Sequence, residues 1–329
     1  MIPENVKKSL RKQHYAIVGK HSAVQICRWT KKSLLDEDVC YKEKFYGIKA
    51  HLCCQMTPAV MWCPNRCIHC WRATELTVGD ELTGNVDSPS EIIDGCIEAQ
   101  KKLLIGFKKD EKSPKKQLSK ANQEKYLEAQ EPMQFAISLS GEPTVYEHLG
   151  GLIDELRKRG KTSFLVTNGL YPEKLKELEE KKQLPTQLYI SVNTPNRELY
   201  VKFHRSSKKD AWERLNESLN LMSKLKGKTR TVFRMNLVRD LNMIQPERYA
   251  EMIRNANPMF IELKGFMSVG YARQRLSYDK MLTHKEIVDF SNEILKYLPE
   301  YKFLDEKKES RVVLLGKDKA DMKIKKSEY

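Results

Sequence analysis

The stretch Cys63-Pro-Asn-Arg-Cys67-Ile-His-Cys70-Trp71 places three cysteines close together, at C-x3-C-x2-C spacing. Three neighbouring thiolates can each bind one iron of a [4Fe–4S] cube, which leaves the fourth iron open for a small molecule. Zinc with His69 as its fourth ligand is an alternative, but His69 lies between two cysteines, closer than the usual Cys/His finger spacing. Cysteines that bind nothing are the third possibility. The spacing favours the iron–sulfur cluster.

The chain around this stretch alternates strand-like and helix-like segments. It has 329 residues, 40% of them hydrophobic, which is enough for one barrel-like domain with extensions. Six segments have the apolar character of buried strands: 58–62, 133–139, 163–167, 187–192, 231–238 and 259–263. Strands that alternate with helices form parallel sheets, so the sequence predicts an α/β fold with an incomplete (βα)6 TIM-like barrel.

Two segments between these strands carry local signals. Ser88-Pro-Ser-Glu91 is a capping box that begins a helix, and Cys96 in this helix is expected to be a small core residue. Residues 106–132 are polar and rich in Lys, Glu and Gln. We therefore expect them to form a flexible or solvent-facing insertion.

Three further cysteines precede the triplet and indicate a second metal site. Cys27, Cys40 and Cys53 are separated by twelve residues each, in a basic extension with no other similarity at that period. Because the spacing is not part of a structural repeat, we interpret the three as ligands folded around one metal site. Buried thiols are the alternative interpretation, and the neighbouring Cys54 is an alternative third ligand.

The net charge of +15 indicates an anionic partner. Residues 1–50 contain eleven Lys and Arg against five Asp and Glu, and residues 197–234 contain eleven against four. Such a basic surface suits a phosphate backbone, with generic solubility or a hot habitat as alternative explanations.

No apolar run has the length of a membrane span and the N-terminus is charged, so we expect a cytoplasmic protein without a membrane partner. Cysteines in that reducing compartment are metal ligands or buried thiols.

Polar motifs accompany the next four predicted strands. They are Ser140-Gly-Glu-Pro143, Thr167-Asn-Gly169, Ser191-Val-Asn-Thr194 and Arg234-Met-Asn236. Each motif alone is an ordinary turn or strand sequence. Because the carboxyl ends of parallel strands meet at one rim of a barrel, the four motifs and the cysteine triplet form one candidate site.

Taken together over about residues 56–270, these motifs resemble the radical S-adenosylmethionine (SAM) superfamily. The resemblance implies a radical SAM barrel in which the open iron of the [4Fe–4S] cluster binds SAM. It assigns the SAM contacts to Gly141, Glu142, Thr167, Asn168, Ser191 and Asn193. Glycine would let the backbone approach the ligand, the glutamate would accept hydrogen bonds from the SAM ammonium, and the others would contact ribose or carboxylate. Ser140 stands where many members have glycine.

The phrases His21-Ser-Ala-Val-Gln-Ile-Cys27 and Cys40-Tyr-Lys-Glu-Lys-Phe-Tyr-Gly47 are similar to the tRNA 4-demethylwyosine synthase family. This resemblance extends over nearly the whole chain. It implies an extension at 1–56 that binds a second iron–sulfur cluster, expected to be [4Fe–4S], a barrel at 57–270, and a C-terminal helix and basic extension at 271–329. Eukaryotic members carry a flavodoxin-like domain before the barrel, so here we expect electrons from a separate donor.

The resemblance also implies a reaction between phenylalanine tRNA and pyruvate. The reduced cluster cleaves SAM, and the resulting radical takes hydrogen from the methyl group of N1-methylguanosine beside the anticodon. The carbon radical adds to pyruvate; loss of the pyruvate carboxyl carbon and ring closure give a tricyclic base. Lys42 is the candidate residue for pyruvate, through an imine or through an ion pair with the carboxylate. Lys44 is its nearest competitor, and a solvated surface lysine is the alternative.

Two other functions stay open on the sequence. A radical SAM tRNA methylthiotransferase also has two three-cysteine sites, but it would need a C-terminal β-barrel for which residues 300–329 are too short. A non-catalytic, metal-stabilised RNA-binding module explains the cysteines and the charge, but not the polar motifs at the strand ends. For stacking on the tRNA base the sequence offers four aromatic residues without choosing among them: Trp29, Tyr41, Tyr46 and Trp71.

Overall fold

A computed structural model describes residues 1–109 and 120–329. In these residues one sheet has ten strands: β1 (Ala16–Val18), β2 (Ser22–Val24), β3 (Cys53–Thr57), β4 (Gln134–Ile137), β5 (Thr162–Thr167), β6 (Gln187–Ser191), β7 (Arg230–Leu237), β8 (Phe260–Gly265), β9 (Lys302–Lys307) and β10 (Val312–Gly316). The spatial order is β1-β2-β3-β4-β5-β6-β7-β8-β10-β9. Neighbours from β3 to β8 are parallel, and the two strands at each edge are antiparallel. The six parallel strands confirm the predicted incomplete barrel.

Eleven helices occur in the same described ranges: α1 (Glu4–Lys12), α2 (Arg28–Leu34), α3 (Tyr41–Tyr46), α4 (Pro89–Leu104), α5 (Gln123–Glu128), α6 (Leu149–Lys158), α7 (Pro172–Glu180), α8 (Arg197–His204), α9 (Ala211–Lys224), α10 (Pro246–Ala256) and α11 (His284–Leu295). Helices α4, α6, α7, α9, α10 and α11 bury their apolar faces against the outer face of the sheet. The capping box of Ser88 and Glu91 begins α4, and Cys96 in this helix is fully buried, as predicted.

Helix α3 closes the inner face of the sheet. Its residues Tyr41, Phe45 and Tyr46 are buried in one cluster with Phe164 of β5 and Tyr189 of β6. A half-barrel would otherwise leave the inner face of these strands exposed to water. The N-terminal extension therefore forms part of the barrel core.

The predicted first strand at 58–62 is wrong. The strand is β3, Cys53–Thr57, which lies inside the predicted extension. Pro58 follows it, and Met61 has a positive φ of 70°, so the chain turns at the rim of the barrel. The apolar residues of this loop are buried in one cluster with Val6 and Leu10 of α1. A short apolar run does not distinguish a buried loop from a buried strand.

The predicted flexible insertion at 106–132 is wrong for its last part. Helix α5 packs there, with Tyr126 buried beside Leu34 and Leu104. The Nε2 atom of His51 also lies 2.6 Å from a carboxylate oxygen of Glu128. Part of the insertion, residues 110–119, lies outside the described residues.

The C-terminal segment adds two strands besides α11. Strand β10 pairs with β8 along Val312–Gly316, and β9 pairs with β10 at the edge. Both pairings are antiparallel, so the barrel is extended but not closed. No helix among the described residues is long and apolar enough to span a membrane.

Candidate functional site

A cavity of about 320 Å³ opens at the carboxyl ends of the parallel strands. Its lining includes Cys63, Cys67 and Cys70 on one side, and Arg234 and Lys264 on neighbouring strands. Polar strand ends complete the wall. The structure thus brings the cysteine triplet and the strand-end motifs to one place, as expected for the rim of a parallel barrel.

Backbone hydrogen bonds to α8 and the segment after it hold the cysteine loop. The amides of Arg66 and Ile68 donate to the carbonyls of His204 and Phe203, at 2.9 and 3.0 Å. The amide of Ser207 in turn donates to the carbonyl of Pro64, at 2.9 Å. These bonds fix the loop between the first and the last cysteine of the triplet.

Arg275 clamps the end of the same loop. Its guanidinium donates to the carbonyl oxygens of Ile68, Cys70 and Arg72 and to the carboxylate of Glu75. An arginine can serve several acceptors at once because its donors form a rigid fork. The sequence analysis missed this residue, since nothing local marks a side chain about 200 positions from its partners.

The three thiols of the triplet share one buried environment. Burial raises the pKa of Cys63 to about 12, with Glu142 as the next cause. Burial also raises the pKa of Cys67, and its two sulfur neighbours Cys70 and Cys63 add to the effect. Unligated thiols are therefore neutral here, whereas a bound cation would hold them as thiolates.

The donor set fits an iron–sulfur cube better than one ion. In the described ranges, no three His, Cys, Asp or Glu side chains are grouped around a point suited to a single metal ion. A cube needs a different arrangement, because each cysteine binds its own iron. The three thiols lie on one wall of a cavity with room beside them. The residues present therefore fit a [4Fe–4S] cluster.

His69 is held away from solvent by aromatic packing. Its ring stacks on Phe203 at 4.8 Å between centroids and meets His204 edge-on at 6.0 Å. Burial, and after it the charge of Arg275, lower the pKa of His69 to about 4. The Nδ1 atom of His204 lies 3.1 Å from the sulfur of Cys67. These contacts support the cysteine loop without making His69 a fourth ligand.

Gly141 allows close packing of two loops at the cavity wall. It has a φ of 76°, and a Cβ atom there would collide with the carbonyl oxygens of Ala59 and Trp62. The next amide, of Glu142, donates to the Trp62 carbonyl at 2.7 Å. The missing side chain thus lets the strand-end loop approach the cysteine loop, and Gly141 also lines the cavity.

Glu142, Thr167 and Asn168 are brought together, but their polar groups bind one another. The Glu142 carboxylate is buried and accepts from the hydroxyls of Thr144 and Thr167, at 2.7 and 2.6 Å. It also accepts from the amide of Asn168, at 2.8 Å. Burial raises the pKa of Glu142, and these hydrogen bonds oppose the effect. The glutamate therefore ties together the loops after β4 and β5.

Ser191 and Asn193 both line the cavity at the end of β6. The Oδ1 atom of Asn193 accepts from the amide of Asn236, at 2.8 Å. The side-chain amide of Asn242 holds the backbone by donating to the carbonyls of Asn193 and Asn236. These contacts fix the ends of β6 and β7 relative to each other. Of the predicted SAM contacts, Gly141, Ser191 and Asn193 face the cavity.

Cys27, Cys40 and Cys53 form a second group of thiols. Cys27 and Cys40 are the residues before α2 and α3, and Cys53 begins β3. Burial raises the pKa of Cys40 to about 11 and that of Cys53 to about 12, with Cys27 as the second cause for both. Cys27 therefore lies near enough to act electrostatically on Cys40 and Cys53, the two cysteines that the sequence grouped with it by spacing.

This second group lies below the cavity. Cys53 and Gln55 are on the same face of β3, since side chains alternate along a strand, and Gln55 lines the cavity. Cys53 is thus one step deeper on the inner face. Cys54 has its side chain on the other face and is fully buried in the outer core near Cys96.

Lys42 does not line the cavity; it contacts Phe164 and Tyr189, which lie two residues before the lining residues Val166 and Ser191 on the same strand faces. Its side chain is 8% exposed, and its Nζ is 4.6 Å from the ring centroid of Phe164 and 4.7 Å from that of Tyr189. Burial lowers the pKa of Lys42, and Arg234 lowers it further. Lys44, in contrast, is half exposed, and its Nζ lies 2.8 Å from Asp305 on β9. The two lysines therefore have different environments, and Lys42 is not a surface residue.

Glu262 and Lys264 on β8 were missed by the sequence analysis. Glu262 is fully buried and accepts hydrogen bonds from Tyr41 at 3.0 Å and Tyr46 at 2.6 Å. Lys264 lies two residues further along the same face and lines the cavity. The only signal in the sequence was their spacing: two charged residues, two positions apart on one face of an apolar strand.

The four aromatic candidates for stacking differ in their exposure to solvent. Tyr41 and Tyr46 are buried and engaged with Glu262. Two lysines cover the ring of Trp29. Trp71 is 40% exposed and lines the cavity, which leaves it as the aromatic side chain at the entrance.

Comparisons with known proteins identify the relatives of this chain. The Radical SAM superfamily model matches residues 59–253, and a model for wyosine base formation matches residues 255–317. The tRNA 4-demethylwyosine synthase of Pyrococcus abyssi is 48% identical over 97% of this chain and 91% of its own length. The enzyme of the same name from Methanocaldococcus jannaschii is 38% identical over 96% of both chains.

A solved structure has nearly the same fold. It is a structure of TYW1 with a lysine–pyruvate adduct bound, and it is 36% identical with a TM-score of 0.84 over 99% of both chains. The match to the superfamily implies SAM and a [4Fe–4S] cluster. On these similarities, the chain belongs to the radical SAM family of tRNA 4-demethylwyosine synthases.

Proposed function

We propose that this chain condenses N1-methylguanosine, beside the anticodon of phenylalanine tRNA, with pyruvate to give the tricyclic base 4-demethylwyosine. The observation that carries this proposal is the placement of Lys42 below the same cavity that the cysteine triplet lines. One relative with this fold binds pyruvate as a lysine adduct. Nearly full-length similarity to two demethylwyosine synthases supports the choice of tRNA as the other substrate.

The triplet would hold the SAM-binding cluster. When bound and reduced, this cluster supplies the carbon-centred radical chemistry of SAM. The protein's part is to hold the loop, which Arg275 and the backbone of α8 do, and to keep water away. Gly141, Ser191 and Asn193 are the proposed direct SAM contacts on the cavity wall. Glu142, Thr167 and Asn168 support them by fixing the loops.

Cys27, Cys40 and Cys53 would hold a second cluster, which we propose to be [4Fe–4S]. The electrostatic effect of Cys27 on both Cys40 and Cys53 supports this assignment. Cys40 is two residues before Lys42, so a cluster there would lie beside the keto acid. Pyruvate would then be enclosed between the second cluster and the triplet.

Lys42 is the proposed pyruvate residue. Its burial against Phe164 and Tyr189 holds the amine in one position and excludes water, which favours an imine over hydrolysis. The ion pair of Lys44 with Asp305 directs that lysine away from the cavity. A lysine–pyruvate adduct in the TYW1 structure supports the imine over a simple ion pair.

The tRNA would approach the entrance of the cavity. Trp71 is the proposed stacking partner for the flipped base. Lys208 and Lys209 follow the segment that is bonded to the cysteine loop, so their charges lie near this entrance. SAM cleavage also consumes an electron, for which we propose a separate donor. The protein would act in the cytoplasm.

A nucleoside assay tests this function. The cluster-loaded protein is incubated with tRNA containing N1-methylguanosine, SAM, pyruvate and a reductant, and the nucleosides are analysed by mass spectrometry. We expect the tricyclic base only when all components are present. A base that gains sulfur, or an unchanged base in the complete mixture, would contradict the proposal.

A further inference from the structure

Two cations on the cavity wall have no hydrogen-bonding partner in the described protein. Arg234 on β7 and Lys264 on β8 both line the cavity. In the paired register Arg234 lies opposite Glu262, and Asn236 lies opposite Lys264. The two cationic side chains are therefore on adjacent strands and one step apart along the barrel axis.

Glu262 is the carboxylate near these two cations. The Nε of Arg234 lies 4.0 Å from Glu262, whose two carboxylate oxygens already accept from Tyr41 and Tyr46. Within residues 1–109 and 120–329, Lys264 has no ion pair, and its described contact is with the ring of Tyr41 at 5.1 Å. Burial, and after it the charge of Arg234, lower the pKa of Lys264 to about 8. A bound anion would stabilise both cations in this partly desolvated place.

The same cations are connected to Lys42 through shared aromatic rings. The ring of Tyr189 lies under Lys42 at 4.7 Å and under Arg234 at 5.8 Å. The ring that Lys264 contacts belongs to Tyr41, the residue before Lys42. A carboxylate held by the two cations would therefore lie in the same region of the barrel interior as the Lys42 amine. In a 2-oxo acid the keto carbon is bonded directly to the carboxyl carbon, so such a ligand can reach both groups.

We propose that Arg234 and Lys264 form a carboxylate-binding subsite that positions the 2-oxo acid for Lys42. This inference rests on the proposed function, in which Lys42 carries pyruvate. The subsite selects a ketone with an adjacent carboxylate over a neutral ketone. The carboxylate of the amino-acid part of SAM is the other ligand group that these two cations could bind. The contacts with the rings around Lys42 favour the keto acid.

Reductive trapping tests the subsite without turnover. The cluster-loaded protein is treated with borohydride over a range of pyruvate concentrations, and the adduct at Lys42 is quantified by peptide mass spectrometry. Methyl pyruvate, which has no carboxylate charge, is the matched probe. We expect Lys264→Gln and Arg234→Gln to raise the pyruvate concentration for half-maximal trapping by about tenfold, since charge-assisted hydrogen bonds are lost. In both glutamine variants the half-saturation for pyruvate should rise by more than that for methyl pyruvate, which reports the effect of Arg234 on the pKa of Lys42 alone. Lys264→Arg should retain the preference for pyruvate.

Three results would overturn the proposal. Wild-type trapping at Lys42 with an unchanged half-saturation in both glutamine variants would show that the cations do not bind the keto acid. A tenfold loss of SAM affinity in equilibrium dialysis, with pyruvate trapping unchanged, would assign the carboxylate to SAM. If the wild type traps no pyruvate, Lys42 does not form the proposed imine. The subsite is then tested separately, by the KM for pyruvate in the nucleoside assay. An unchanged KM in the glutamine variants would reject the subsite too.

Discussion

Cys53 and Cys54 are adjacent in the chain, yet their side chains lie on opposite faces of β3. Cys53 faces inward toward Cys27 and Cys40, and Cys54 is fully buried in the outer core near Cys96. This follows from the alternation of side chains along a strand. The proposed second cluster can therefore use Cys53 but not its neighbour.

Iron content tests this difference directly. Replacing Cys27, Cys40 and Cys53 together with alanine should remove one cluster, because three thiolates are lost from one site. Iron and acid-labile sulfide measured after anaerobic reconstitution should fall to the content of a single cluster. Cys54→Ala is the matched control and should retain the parent's iron content, since it changes only core packing. Loss of iron in the control, or full iron in the triple variant, would show that the ligand set is wrong.

Lys42 and Lys44 provide a second matched pair. Lys42→Ala should abolish the pyruvate adduct and lower formation of the tricyclic base by roughly a hundredfold or more, because the ketone is no longer held in place. Lys44→Ala should remain close to the parent, since its amine pairs with Asp305 on the edge strand. Adduct mapping and the rate of base formation measure both effects.

Lys42→Arg separates the two roles of this lysine. Arginine keeps the positive charge but does not form the imine, so we expect this variant to be as inactive as Lys42→Ala. An active Lys42→Arg protein without an adduct would establish the ion pair in place of the imine. If Lys42→Ala makes the base at the parent's rate, neither role is correct.

Glu262 is expected to stabilise the fold at the floor of the cavity. Glu262→Gln removes the charged acceptor of the Tyr41 and Tyr46 hydroxyls and the carboxylate near Arg234, so it should lower the free energy of unfolding by about 3 kcal/mol. Tyr46→Phe removes only one hydrogen bond to Glu262, so it should lower that free energy by about 1 kcal/mol. Urea denaturation of both cluster-loaded variants measures the difference. Equal effects would mean that the charge of Glu262 is unimportant for stability.

Two pairs of lysines can distinguish a local contact with tRNA from a diffuse electrostatic attraction. Lys208 and Lys209 lie near the cavity entrance, whereas Lys224 and Lys226 lie at the other end of α9, a helix of 14 residues and thus about 21 Å long. Replacing the first pair with glutamate should weaken tRNA binding and lower the slope of log Kd against log salt by about 2. The same change at Lys224 and Lys226 should have a much smaller effect. Filter binding at several salt concentrations measures both, and equal effects would show a diffuse attraction.

Much of the fold could be predicted because its signals are local. Short apolar segments between helical patterns identified five of the six parallel strands, and the capping box of Ser88 marked the start of α4. The segment at 58–62 misled the analysis because a buried loop and a buried strand are equally apolar. Helix α5 was missed because its packing against Leu34 depends on residues far away in sequence.

The candidate site shows the same difference between residues with a local sequence signal and residues that act over long sequence separations. The triplet and the strand-end motifs were visible because each lies in a short stretch of sequence. Arg275, Glu262 and Lys264 were not, since they act across separations such as the 205 positions between Arg275 and Cys70. The role first expected for Glu142 also changed, because only the structure shows that Thr144, Thr167 and Asn168 occupy its carboxylate.

Isotope-labelled pyruvate tests the central claim most directly. The cluster-loaded protein is incubated with tRNA containing N1-methylguanosine, SAM, a reductant and pyruvate labelled with carbon-13 at one position at a time. The account predicts a tricyclic base that retains label from the keto and methyl carbons and contains none from the carboxyl carbon. Cys67→Ala, which removes one ligand of the SAM-binding cluster, should give no product. Unlabelled base from keto- or methyl-labelled pyruvate, or labelled base from the Cys67→Ala protein, would contradict the account.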